Sequence, residues 1–107
     1  ETAWVRKLFT RSLATLTAAP PLGTLDTLSQ RTGRYYVIVA SAIDGDLIAD
    51  YAKTLTPKGI SAKIILPYDT VKFYRLAVAD GDTYRTTQAT ADQLKAEYAG
   101  GAWVLKY

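Results

Sequence analysis

The sequence predicts one α+β domain: a βαββαβ chain folded as a four-stranded antiparallel sheet with two helices on one face, preceded by an amphipathic helix and a linker. Three observations carry this reading. From Arg34 onward, short β-branched and aromatic runs alternate with two stretches of helical periodicity. The two halves repeat: Tyr35, Val37, Val39 and Ala40 match Tyr74, Leu76, Val78 and Ala79 at a constant offset of 39 residues, and Ala52 and Leu55 match Ala91 and Leu94 at the same offset. The length of 107 residues suits a single core with an appendage and is short for two domains.

Taken in order, Trp4, Val5, Leu8, Phe9, Leu13 and Leu16 recur at three-to-four spacing, with Arg6, Lys7 and Arg11 largely off that stripe, so residues 2–18 are expected as an amphipathic helix. That helix could lie on this domain, on a protein partner or second copy, or on a membrane surface. Pro20 and Pro21 end it, and the run through Gly33 reads as linker with one short turn at Leu25–Leu28. The expected domain limits are therefore 1–33 for helix and linker and 34–107 for the compact unit.

Within that unit, Tyr35–Ala40 is the first strand and Asp44–Thr56 the first helix, with Asp44 and Asp46 at the end where the helix dipole favours negative charge. Pro57 and Gly59 close the helix, and Ala62–Leu66 is the second strand. Pro67–Thr70 is a turn into Lys72–Ala79, the third strand. A helix from about Thr87 to Tyr98 follows, stopped by Gly100 and Gly101, and Trp103–Tyr107 is the last strand. A duplicated strand-helix-strand unit is the internal symmetry of the ferredoxin-like arrangement, in which right-handed crossovers put both helices on one side. Alternation then aims Tyr35, Val37, Val39, Ile64, Leu66, Tyr74, Leu76, Val78, Trp103 and Leu105 at the helices. It leaves Tyr36, Ile38, Lys63, Ile65, Phe73, Arg75, Val104 and Lys106 on an open face. An aromatic beside a guanidinium on such a face marks it as a binding surface.

Composition removes several chemistries. With no histidine and no cysteine, the usual triads, thiol nucleophiles and zinc sites are absent. Residues 1–33 carry four basic and two acidic side chains and residues 34–107 nine and eight, so the compact unit is nearly neutral, a poor footprint for a nucleic-acid binder. The third strand also lacks the basic-Gly-aromatic signature of an RNA-recognition module. Asp44-Gly45-Asp46 and Asp80-Gly81-Asp82 are too short for a calcium loop and do not face each other across a cleft, so they read as turn and helix-start residues. No window reaches the roughly 20 apolar residues of a membrane span. No cofactor or metal is expected, and membrane attachment would come only from chain outside this sequence.

Arg34–Tyr107 resembles a SPOR domain, the sporulation-related repeat of bacterial cell-envelope and cell-division proteins. The matching features are Tyr35-Tyr36-Val37-Ile38-Val39-Ala40-Ser41, the helix ending at Leu55 with Gly59 four residues on, Phe73-Tyr74-Arg75-Leu76, and Ala102-Trp103-Val104-Leu105-Lys106. The resemblance implies a noncatalytic module, periplasmic and septal, that binds peptidoglycan glycan strands stripped of stem peptides. It places the binding positions at Ile38, Ser41, Phe73, Arg75 and Val104, and Tyr36 on the same open face adds a second flat aromatic platform for a sugar ring. The chain departs from the family pattern where Ile38 replaces a frequent glutamine, where Ala40 replaces glycine, where Ala42 replaces a phenylalanine after the serine, and in lacking Gly-x-Phe around Ala79–Asp82. The alternative is a protein-interaction or assembly domain whose open face is covered by the 2–18 helix or a partner. An RNA-recognition-like module is the weaker rival.

Overall fold

The computed structural model describes residues 22–107; the expected 2–18 helix lies outside them. The described residues form an α+β fold, with five strands in one mixed sheet and two helices. In chain order these are β1 (Leu25–Leu28), β2 (Tyr35–Ala42), α1 (Gly45–Leu55), β3 (Ala62–Ile65), β4 (Tyr74–Gly81), α2 (Tyr84–Leu94) and β5 (Trp103–Lys106). The strand order is β1-β3-β4-β2-β5. The last four are all antiparallel neighbours.

The expected four-stranded antiparallel sheet is corrected by β1, which pairs in parallel with β3 from Leu25↔Ala62 to Leu28↔Ile65. Leu25–Leu28 is thus an edge strand where the sequence suggested a turn in a linker. It gave no strand signal because three of its four side chains are exposed, which leaves no buried side to alternate against. The amide of Gly23 donates to the Thr56 carbonyl and that of Ala62 to the Thr24 carbonyl, which fixes β1 in register. A Cβ at Gly23 would lie 2.1 Å from the Ile60 carbonyl oxygen, so only glycine permits this approach.

The duplication holds to the residue through strand, helix and 3₁₀ turn, whereas β3 and β5 begin 41 residues apart. The bounds of β2 and β4, of α1 and α2, and of the 3₁₀ turns Thr56–Lys58 and Lys95–Glu97 all correspond at an offset of 39. Local chemistry sets the helix ends. Asp44 caps α1 by accepting from the Asp46 amide, and Gly59 closes the following turn at φ 84°. Thr83 caps α2 by accepting from the Thr86 amide, so α2 begins three residues before the sequence placed it. The third strand likewise runs from Tyr74 to Gly81, two residues later than expected at each end.

Both helices pack on one face. Ile48, Ala52 and Leu55 of α1 and Ala91 of α2 share a buried cluster with Val37, Val39, Ile64 and Leu76. The other face is not open. Tyr36, Ile38, Ile65 and Ala77 form a second buried cluster with Tyr107, and Leu28, Tyr68 and Leu105 pack at its margin.

Topology explains the cover. β1 and β2 point the same way but stand three positions apart, so residues 29–34 must cross β3 and β4 to join them. The β2-α1-β3 crossover travels in the opposite direction on the helix face. One shared right-handed preference therefore sends residues 29–34 over the helix-free face. Thr32 Oγ1 lies 2.6 Å from the Tyr36 hydroxyl, and the Thr32 and Gly33 amides donate to the Tyr107 carbonyl. Arg31 pairs with Asp69 and stands 4.9 Å over the Tyr68 ring. Tyr68 and Tyr107 meet with ring centroids 5.0 Å apart.

Candidate functional site

The six residues singled out from the sequence do not share one surface. Tyr36 and Ile38 do sit on the helix-free side, but at 1% and 0% exposure they lie beneath residues 31–33, Tyr68 and Tyr107. Val104 is on the opposite side: it pairs with Val37 and packs on the helix-face cluster. The parity of β5 is therefore the reverse of that expected, with Trp103 opposite Ile38 and Leu105 opposite Tyr36. Trp-Val-Leu-Lys has apolar residues at both parities, so alternation could not choose between them.

Ser41, Arg75 and Phe73 remain accessible. Ser41 and Arg75 are register partners across β2 and β4, and Ile65 is the partner of Arg75 on β3, which puts Ser41 and Arg75 at the uncovered end of the helix-free face. Phe73 precedes β4 and is 44% exposed.

Arg75 is the centre of this corner. Its Nη1 donates to the Tyr68 hydroxyl at 3.0 Å, and its guanidinium carbon stands 5.4 Å from the Trp103 ring centroid and 6.0 Å from that of Tyr68. Its Nε is buried and has no hydrogen-bond partner among the described residues. Trp103 is 41% exposed, a large apolar ring left facing water beside a cation. A planar guanidinium held between two aromatic rings, with a serine hydroxyl alongside, offers directed donors and a flat apolar platform together.

Trp103 and Tyr68 were missed by sequence reasoning. Tyr68 did carry a signal, being an aromatic in the otherwise turn-forming Pro67–Thr70, where a ring has reason to persist only if the turn folds back on something apolar.

The acidic pairs have structural tasks. Arg34 bonds Asp80 through Nε at 3.2 Å and pairs with Asp82, and Lys63 Nζ reaches Asp80 at 3.4 Å. The hydrogen bond that Arg34 donates to Asp80 is the main reason that the Arg34 pKa is raised. Among the described residues no group of three or more acidic side chains could hold a metal ion, and no helix is long and apolar enough to cross a membrane.

Beside the corner, a cleft of about 470 Å³ runs between β2 and the chain entering β5, and Ser41 and Trp103 line both features. Comparison with protein families, with curated proteins and with solved structures found no match to this chain.

Proposed function

We propose that this chain is a noncatalytic glycan-binding module of SPOR type, its four antiparallel strands in the ferredoxin-like order with β1 and residues 29–34 added, and that it recognises peptidoglycan strands in the bacterial cell envelope. The observation that carries the reading is the Arg75 corner, where a guanidinium tied to the Tyr68 hydroxyl through Nη1 stands against the exposed Trp103 ring beside Ser41. Sugar rings present a flat apolar face and a hydroxyl-rich rim, which match an aromatic platform and directed donors. The site is smaller than a whole sheet face. Tyr36, Ile38 and Val104 have no part in it, Trp103 replaces them, and Phe73 extends it.

Burial of Tyr36 also weighs against single-stranded RNA, which would stack a base on an aromatic of this central strand.

The test is cosedimentation with purified sacculi, intact and stripped of stem peptides, for the parent chain and for Arg75→Ala, Trp103→Ala and Tyr36→Phe. The parent and Tyr36→Phe are expected to pellet with the stripped preparation, and the other two to stay in solution. A parent that pellets with neither preparation, or variants that pellet as it does, would refute the reading.

A further inference from the structure

The cleft beside Trp103 carries chemistry that sugar binding does not use. β5 pairs with β2 only along Tyr35–Ile38, whereas β2 continues to Ala42. The chain reaches β5 from the helix side through Gly101, whose φ is 80° and whose amide donates to the Tyr98 carbonyl, so it joins the sheet edge only at Trp103. Along Val39–Ala42, four residues, no strand among the described residues lies on the β5 side of β2, although β4 holds Ala40–Ala42 on the other. The cleft occupies this stretch. Val39, Ala40 and Ser41 form one wall and Ala99 and Gly100 the other, while Tyr51 and Trp103 complete the lining.

We propose that this cleft binds an extended peptide by strand addition, the peptide continuing the line of β5 along Val39–Ala42. The occupant is set by what the edge offers. A sheet edge presents main-chain donors and acceptors at strand spacing, and only another extended backbone answers both together. Continuity with β5 fixes where it lies, because the same edge already carries four residues of strand and ends at Trp103. Alternate side chains of such a peptide would point to the two sides of the sheet, one set towards Tyr51 of α1 and the other towards Trp103. Among the described residues no charged side chain lines the cleft, so the expected ligand is an uncharged segment with small or β-branched residues. The proposal does not depend on glycan recognition, since Arg75 does not line the cleft.

Gly100 supplies the control. It is exposed, and a Cβ there would meet only the Val39 carbonyl oxygen, at 3.6 Å, an ordinary contact. Gly100→Val should therefore fold as the parent does while filling the cleft. The probe is an N-acetylated, C-amidated pentapeptide of alternating threonine and valine, titrated to millimolar concentration against the 15N-labelled chain. Expected are saturable amide shifts confined to Val39–Ala42, Gly100 and Trp103, unchanged in Arg75→Ala. The affinity should fall at least about tenfold in Gly100→Val, and equally when alternate amides of the peptide are N-methylated. Shifts that do not saturate, that centre elsewhere, or that survive both Gly100→Val and N-methylation would overturn the proposal. Loss of sacculus binding in Arg75→Ala alongside an unchanged peptide titration would separate this site from the glycan site.

Discussion

Arg75 shows what a single residue settles here. Its hydrogen bond to Tyr68 consumes one donor, and its placement against Trp103 orients the rest. Arg75→Lys keeps the charge but loses the planar fork, so it should bind stripped sacculi about tenfold more weakly than the parent, a loss of about 1.4 kcal/mol readable from pelleting isotherms. Phe73→Ala, at the margin, should cost less than Trp103→Ala in the same assay. Tyr107 tests the cover. Burial is the main cause that raises its phenol pKa, reinforced by the neighbouring Tyr68, and burial raises that of Tyr98 in the same way. A raised folded pKa means that the unfolded chain ionises first as pH climbs. The stabilisation is complete below the ordinary phenol value of about 10 and is lost progressively as pH rises from there through the folded value. Urea melts between about pH 9 and 11 should show stability falling with pH, and the fall should be shallower in Tyr107→Phe. Tyr107→Ala should cost about 3 kcal/mol at neutral pH, because it empties a place packed against Tyr36 and Tyr68.

At the scale of elements, residues 29–34 behave as a strap with little slack. Leu28 is level with Ile65, Arg75 and Ser41, whereas β2 begins six residues before Ser41 and three strand positions away. That diagonal is about 20–25 Å, and the seven steps from Leu28 to Tyr35 reach at most about 25 Å. Gln30 is exposed, and removal of such a residue from an ordinary loop would be harmless. Here, deletion of Gln30 should pull β1 from β3 and raise amide exchange at Ala62 and Leu66, which donate to the Thr24 and Leu28 carbonyls, whereas one inserted glycine should leave exchange nearly unchanged. Gly23→Ala should release the same amides from the other end of β1, through its clash with the Ile60 carbonyl. The elements differ in how far the sequence revealed them. β2, α1 and β3 were legible because each shows its own period with a cap or turn residue at its end. β1 was not, since a four-residue edge strand with three exposed side chains is held mainly by backbone pairing, and Leu28 alone packs inward, which leaves no alternating mark in the side-chain pattern.

For the whole molecule, the repeat was the most informative feature of the sequence, because it fixed the order of the central strands and the shared side of both helices. What it could not convey is anything outside the repeated unit. The strap, the Tyr68 turn and Tyr107 are additions to the duplicated frame, and together they turn an expected platform into a second core. That is why Tyr36 and Ile38 lie buried while the outer end of the expected site stays accessible. The corner and the cleft both lie where this cover ends, at the Ser41 end of β2.

The path of residues 29–34 also bears on where the protein can be cut. Arg34 looks like the natural start of an independent fragment, yet a protein trimmed there loses β1 and the strap and bares Tyr36 and Ile65. Such a fragment should bind a hydrophobic dye and cling to sacculi, plastic and membranes alike, so adhesion measured on it would report an exposed interior rather than recognition.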